Sequence, residues 1–175
     1  MISSRARAIA AGNCHSMVIK HDGSVWVTGE NKYGQLGDGS TTVKNRFVKV
    51  ISSGTKAIAA GNQHSVVLKD DDSVWVAGRN NFGQLGMGPK PLRRAFVQVI
   101  SNVIAVAAGD WHSMVLKRDG SLWATGINLY GQLGDESTIA KDVFVRVLLS
   151  RDGAWCRLLW VPRNRSIHFA LDLLE

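Results

Sequence analysis

The sequence predicts an all-β chain built as a β-propeller of partial type, with three clear four-stranded blades and a degenerate C-terminal unit. Three observations carry this. A unit of 48 or 49 residues occurs three times, each copy holds four short β-rich runs, and turn signatures fall at the same offsets in every copy. The string "AIAAGNCHSMVIKHDGSVWVTGENKYGQLGDGS" returns as "AIAAGNQHSVVLKDDDSVWVAGRNNFGQLGMGP" and again as "AVAAGDWHSMVLKRDGSLWATGINLYGQLGDES". His15, His64 and His112 mark the period, and Trp26, Trp75 and Trp123 keep the same steps. The units run from about 2 to 50, 51 to 99 and 100 to 150, and residues 151–175 read as a degenerate fourth repeat or an irregular basic tail.

Within each unit the first strand ends at Gly12, Gly61 or Gly109, and the second is "HSMVIK", "HSVVLK" or "HSMVLK". A two-residue hairpin turn follows, in which Gly23 and Gly120 supply a positive φ. Asp72 stands at that point in the middle unit, and Asp tolerates the left-handed conformation. The third strand is "SVWVTG", "SVWVAG" or "SLWATG", and the fourth is the FVxV run at 47, 96 and 144. Hairpins between consecutive strands of one unit favour a propeller blade over a coil of parallel strands.

The segment "NKYGQLGDGS" resembles a phosphate-cradling loop in its glycine content. Its spacing fits neither G-x-x-x-x-G-K-[ST] nor a helix-opening G-x-G-x-x-G, and it recurs as "NNFGQLGMGP" and "NLYGQLGDES". Gly34 and Gly37 are read instead as sharp backbone turns, with Leu36 plugging the blade and Tyr33 packing beside it.

Composition narrows the function classes. No run of about 18 apolar residues is present to form a membrane span, and the N-terminus lacks an apolar core long enough for a secretory signal. Cys14 and Cys156 are the two cysteines, too few and too unlike in context for a disulfide framework or a zinc site. The expectation is an intracellular chain, cytoplasmic or nuclear, without cofactor or metal. The net charge of +7, concentrated in the last thirty residues and in the loop with Lys90, Arg93 and Arg94, admits a chromatin or nucleic-acid partner. No aromatic and basic interleaving marks a binding track.

The combination A-x-A-A-G-x-x-H-S, D-G-S-[VL]-W and N-x-[YF]-G-Q-L-G resembles the repeat of the regulator of chromosome condensation family, over residues 2 to 150. The resemblance implies blades of a propeller that is seven-bladed in the family, and protein partners, among them a Ran-like small GTPase whose nucleotide exchange the founding member promotes. Exchange in the family relies on a β-wedge inserted in one blade, and the regular spacing here leaves no room for one. The family's UV-B sensors place Trp directly after the Gly of G-x-x-H, where this chain has Asn13, Asn62 and Asp110. Three blades do not close such a ring, so open sheet edges are expected to lead to self-association or dependence on partners.

The repeated residues have structural readings. The three histidines come one per blade, too far apart to share one ion at about 2 Å, and are expected to be buried, hydrogen-bonded to backbone, and to fix one blade against the next. Alternation places Trp26, Trp75 and Trp123 on a buried face, each contributing at most about 4 to 6 kcal/mol from its area. No nucleophile, base and orienting group stand together in the pattern, so no catalytic residues are assigned. The informative positions vary inside the constant frame: Asn13 and Cys14, Asn62 and Gln63, Asp110 and Trp111. They lie at matching loop points and form the expected partner-binding rim, with Trp111 as its anchor. The sequence reading is therefore a non-enzymatic interaction scaffold, with an exchange factor for a Ran-like GTPase and a chromatin-binding module as rivals.

Overall fold

The structure, a computed structural model, describes residues 5–147. The degenerate unit expected at 151–175 lies outside the described residues. Twelve strands make three antiparallel sheets of four, each in simple sequence order. The first holds β1 (Ala6–Ala11), β2 (His15–Lys20), β3 (Val25–Gly29) and β4 (Lys44–Ile51). The second holds β5 (Thr55–Ala60), β6 (His64–Lys69), β7 (Val74–Arg79) and β8 (Leu92–Ile100), and the third β9 (Val103–Ala108), β10 (His112–Lys117), β11 (Leu122–Gly126) and β12 (Lys141–Arg146). No helix occurs among the described residues. This is the all-β partial propeller that the repeat predicts.

The hairpins between second and third strands turn at Gly23 (φ 74°), Asp72 (φ 62°) and Gly120 (φ 79°), so the aspartate does adopt the glycine conformation. The constant Asp and Ser around the turn do more than bend it. Asp71 Oδ1 accepts from the Ser73 amide at 3.0 Å and from its hydroxyl at 2.5 Å, and Ser73 Oγ accepts from Trp75 Nε1 at 2.9 Å. The same ladder joins Asp22, Ser24 and Trp26, and Asp119, Ser121 and Trp123. Each indole thus has its polar group satisfied, as a half-buried Trp requires.

Strand alternation gives each sheet two apolar faces, and consecutive sheets pack face to face. Met17, Ile19, Val25, Val27 and Leu36 of the first sheet are fully buried against Ile58, Val67 and Trp75 of the second. Val66, Leu68, Val74, Val76 and Leu85 from the opposite face of the second sheet are buried against Val106, Val115 and Trp123 of the third. Trp75 and Trp123 therefore sit in the joints between sheets. Leu36, Leu85 and Leu133, from the Gly-rich loops, are all fully buried plugs.

Those loops are organised by a residue that the sequence reading passed over. Asn31 Oδ1 accepts from the Leu36 amide at 3.0 Å, while its Nδ2 donates to Asp38 Oδ1 at 3.0 Å and to the Ser40 carbonyl at 3.1 Å. Asn128 repeats the arrangement with Leu133, Asp135 and Ser137, while Asn80 accepts from the Leu85 amide and donates to the carbonyls of Gly88 and Lys90. Gln35, Gln84 and Gln132 fold back, each side-chain carbonyl accepting the amide of the aromatic residue two places earlier at 3.0 Å. A loop so closed reaches the next sheet: the Gly39 amide donates to the Arg94 carbonyl at 2.9 Å, and Gly88 to Asp142 at 2.8 Å. The glycines serve backbone turning and this close approach. At Gly34 a Cβ would stand 2.6 Å from Arg94 Cα of the neighbouring sheet.

Candidate functional site

The six rim positions are the paired residues of the tight turns between first and second strands. Each turn closes with the amide of Gly12, Gly61 or Gly109 donating to the carbonyl of the histidine three residues on, at 2.9 to 3.0 Å. The second residue of each pair also pins the exit of the third strand: the carbonyls of Cys14, Gln63 and Trp111 accept from the amides of Glu30, Arg79 and Ile127 at 2.8 to 2.9 Å. The turn and the strand end are thereby held side by side in every sheet. The geometry lines the pairs up: Asn13 Nδ2 donates to Asn62 Oδ1 at 3.3 Å, and the Asn62 amide donates to the Asp110 carbonyl at 3.1 Å. Asn13, Cys14 and Asp110 are exposed, while Asn62, Gln63 and Trp111 are half-buried.

Around Trp111 the structure assembles residues from all three sheets. The Arg79 guanidinium carbon lies 5.1 Å from the Trp111 ring centre, 5.6 Å from that of Phe82 and 4.8 Å from that of Tyr33. Phe82 meets Trp111 edge to face, with centroids 5.4 Å apart. Arg79 Nη1 donates to Gln63 Oε1 at 2.8 Å, which fixes the guanidinium in place. The Tyr33 ring, expected beside Leu36, lies half-buried beneath Arg79. Cation-π contacts of this kind contribute roughly 0.5 to 1 kcal/mol each where solvent reaches them and more where it does not, so the cluster is ordered without any partner. Trp111 remains the anchor, but Tyr33, Arg79 and Phe82 belong to the same surface. The signal for Arg79 was in the sequence: Glu30, Arg79 and Ile127 occupy one frame position and vary as much as the turn pairs do.

Behind the rim, the histidines join the sheets. His15 Nε2 lies 2.9 Å from Ser65 Oγ, and His64 Nε2 lies 3.0 Å from Ser113 Oγ. The partner is thus a hydroxyl of the next sheet where a backbone group was expected, although the tie of one blade to the next is as expected. Each serine passes its proton back to the previous unit, Ser65 to the Gln35 carbonyl at 2.6 Å and Ser113 to the Gln84 carbonyl at 2.7 Å. A hydroxyl carries one proton, so the histidine must donate from Nε2; that it is neutral follows from its burial. Burial pushes the imidazole of His15 down to about 4. That of His64 is pushed down to about 3, by burial first and then by the charges of His15 and His112. Groups so hard to protonate, with both nitrogens inside the joint, are unsuited to act as bases on a substrate. Among the described residues no group of three or more His, Cys, Asp or Glu side chains could hold a metal ion, and no helix is long and apolar enough to cross a membrane.

The repeat geometry agrees with comparisons to known proteins. The model of the regulator of chromosome condensation (RCC1) repeat matches residues 6–35, 56–84 and 103–132 in one form, and 22–68 and 71–116 in another. No match was found among curated proteins. Among solved structures, human WBSCR16 superposes with a TM-score of 0.73 at 26% identity, over 84% of this chain and 40% of that one. Prp20p from Saccharomyces cerevisiae, described with its binding properties to Gsp1p and histones, gives 0.72 at 21% identity over 83% of this chain and 39% of its own. Yeast RCC1 (Prp20) bound to Kap60 gives 0.71 at 21% identity, over 83% and 37%. The chain therefore spans about 40% of the length of these proteins. By its three matched repeats, and by the sheet architecture that goes with them, the chain belongs to the regulator of chromosome condensation (RCC1) repeat family.

Proposed function

We propose that this chain is a non-enzymatic protein-interaction module whose contact surface is the rim formed by Asn13, Cys14, Asn62, Gln63, Asp110 and Trp111, extended by Tyr33, Arg79 and Phe82. The observation that carries the reading is the ordered cluster of Trp111, Arg79, Phe82 and Tyr33. Trp, Tyr and Arg are the residues in which binding energy concentrates at protein interfaces, and here they are held in place before any partner arrives, which lowers the ordering cost of association. The scaffold behind them is constant from unit to unit, while the rim differs at nearly every position. A solved complex of Prp20 with Kap60 supports protein partners for a surface of this family. An intracellular setting, cytoplasmic or nuclear, goes with this reading.

The test is capture of partners from cell extract by the immobilised chain, followed by titration of the purified partner against wild type and Trp111→Ala. Affinity is expected to fall at least about tenfold, the equivalent of roughly 1.4 kcal/mol. Unchanged affinity for every captured partner would remove the rim from the proposal. The description of Prp20p with its binding to Gsp1p and histones favours two further readings. Exchange on a Ran-like GTPase is tested by release of a fluorescent nucleotide. Chromatin binding is tested by the salt dependence of DNA or nucleosome affinity, which is steep where phosphate contacts dominate.

A further inference from the structure

Each joint between sheets is made by the same two faces. The trailing face of one sheet, centred on the Gly-rich loop, receives the leading face of the next, which carries the Ser after the motif histidine, the FVxV phenylalanine and the Trp. Three contacts recur in both joints. The serine hydroxyl donates to the loop glutamine carbonyl. The phenylalanine ring, Phe96 or Phe144, lies over the second loop glycine, Gly37 or Gly86. The backbone before that phenylalanine runs against the first loop glycine, Gly34 or Gly83.

Among the described residues one further leading face stands on the first sheet and one further trailing face on the third. Ser16 and Phe47 occupy the plug positions on the first, and Gly131, Gln132 and Gly134 the socket positions on the third. At these faces the equivalents of joint residues become exposed. Ile9 is 75% exposed where Ile58 is packed into a joint, and Tyr130 is 92% exposed where Tyr33 lies beneath Arg79. A Cβ on Gly131 would meet nothing closer than Ser137 O at 3.9 Å, whereas Gly34 and Gly83 have the next sheet upon them.

We propose that these two faces bind each other between copies, so that the third sheet of one molecule receives the first sheet of a second, head to tail. The occupant is a second copy because the joint is one that the chain already makes twice, with the same residue types on each side. Ser16 of the incoming copy would donate to the Gln132 carbonyl, and its Phe47 would lie over Gly134. The contact is heterologous, so each dimer keeps one face of each kind and further copies can add. This proposal is independent of the rim.

The experiment is sedimentation of the full 175-residue chain over a wide concentration range, with Ile9→Arg to block the leading face and Gly131→Asn to block the trailing one. Asn tolerates the left-handed backbone of Gly131, and circular dichroism checks that both variants fold. Tyr130→Asp replaces Gly131→Asn if it does not. The wild-type mass is expected to rise with concentration, and each variant alone to need at least tenfold more protein to associate. An equimolar mixture of the two variants should form a dimer and stop there, since each contributes one intact face. A wild type that stays monomeric, association untouched by either variant, or a mixture that stays monomeric would each overturn the proposal.

Discussion

His64 and Ser113 stand 3.0 Å apart, Nε2 to Oγ, across the joint between the second and third sheets, and Ser113 hands its proton to the Gln84 carbonyl of the sheet from which His64 comes. Both side chains are fully buried. Ser113→Ala leaves the imidazole N–H and a carbonyl without partners in a place water does not reach, which costs about 2 kcal/mol. His64→Ala adds the loss of ring packing. In a double-mutant cycle read by urea unfolding, the pair is expected to show a coupling of about 1 to 2 kcal/mol. Additive effects would mean that the two groups do not act together.

Gly83 and Gly131 have nearly the same backbone, with φ of 78° and 70°, but different surroundings. A Cβ on Gly83 would overlap the backbone of Lys141 and Asp142 in the third sheet, whereas one on Gly131 would make only an ordinary contact with Ser137 O at 3.9 Å. Gly131→Ala is therefore expected to show only the left-handed penalty, about 1 to 2 kcal/mol. Gly83→Ala should lose at least about 2 kcal/mol more, because two sheets must separate. Thermal unfolding of both variants at low concentration checks this, and equal losses would show that the joint gives way freely.

The frame was legible because the chain states it three times. Turn glycines, strand runs and plug leucines sit at fixed offsets, and Asp72 in the middle unit exposed the backbone requirement rather than hiding it. The joint was half legible. In "HS" consecutive side chains must point to opposite faces, so a histidine reaching one neighbour implies a serine reaching the other, yet the hydroxyl as its partner was not drawn from that. Arg79 ends the third strand and so lies outside the turn pairs, although its position varies by the same criterion. What no spacing could reveal is that Tyr33, Phe82 and Trp111 from three sheets converge on its guanidinium, since that depends on how far each sheet turns from the last.

Asn80 carries the second loop. It is 4% exposed, accepts from the Leu85 amide at 2.8 Å, and donates to the carbonyls of Gly88 at 2.9 Å and Lys90 at 2.8 Å. Asn80→Asp keeps the shape but turns a donor into a carboxylate oxygen facing two carbonyls. The expected loss is about 3 kcal/mol, against less than about 0.5 for Asn81→Ala on the exposed side of the same loop. Urea midpoints of the two variants measure the difference, and a tolerated Asn80→Asp would mean that the glycines alone shape the loop.

The neutral histidines make stability depend on pH in a defined window. Burial holds His15 at about 4 and His64 at about 3, below the ordinary 6.5. As pH falls below about 6.5 the unfolded chain takes up protons that the folded chain refuses, so stability drops. The contribution is complete above about pH 6.5. It is lost as pH falls to about 4 for His15 and about 3 for His64, below which both states are protonated alike. The slope approaches roughly 1.4 kcal/mol per pH unit for each histidine. Between pH 6.5 and 4.5 carboxylates contribute little, because an unfolded aspartate takes up protons only near its ordinary value of about 3.9. Asp22, Asp71 and Asp119, held below that range by hydrogen bonds from Ser24, Ser73 and Ser121, lose their contribution only at lower pH. A His15→Gln, His64→Gln double variant is expected to be less stable than wild type at pH 7.5 and to lose less stability on acidification to 4.5. Parallel curves for the two proteins would show that acid acts elsewhere than at the joints.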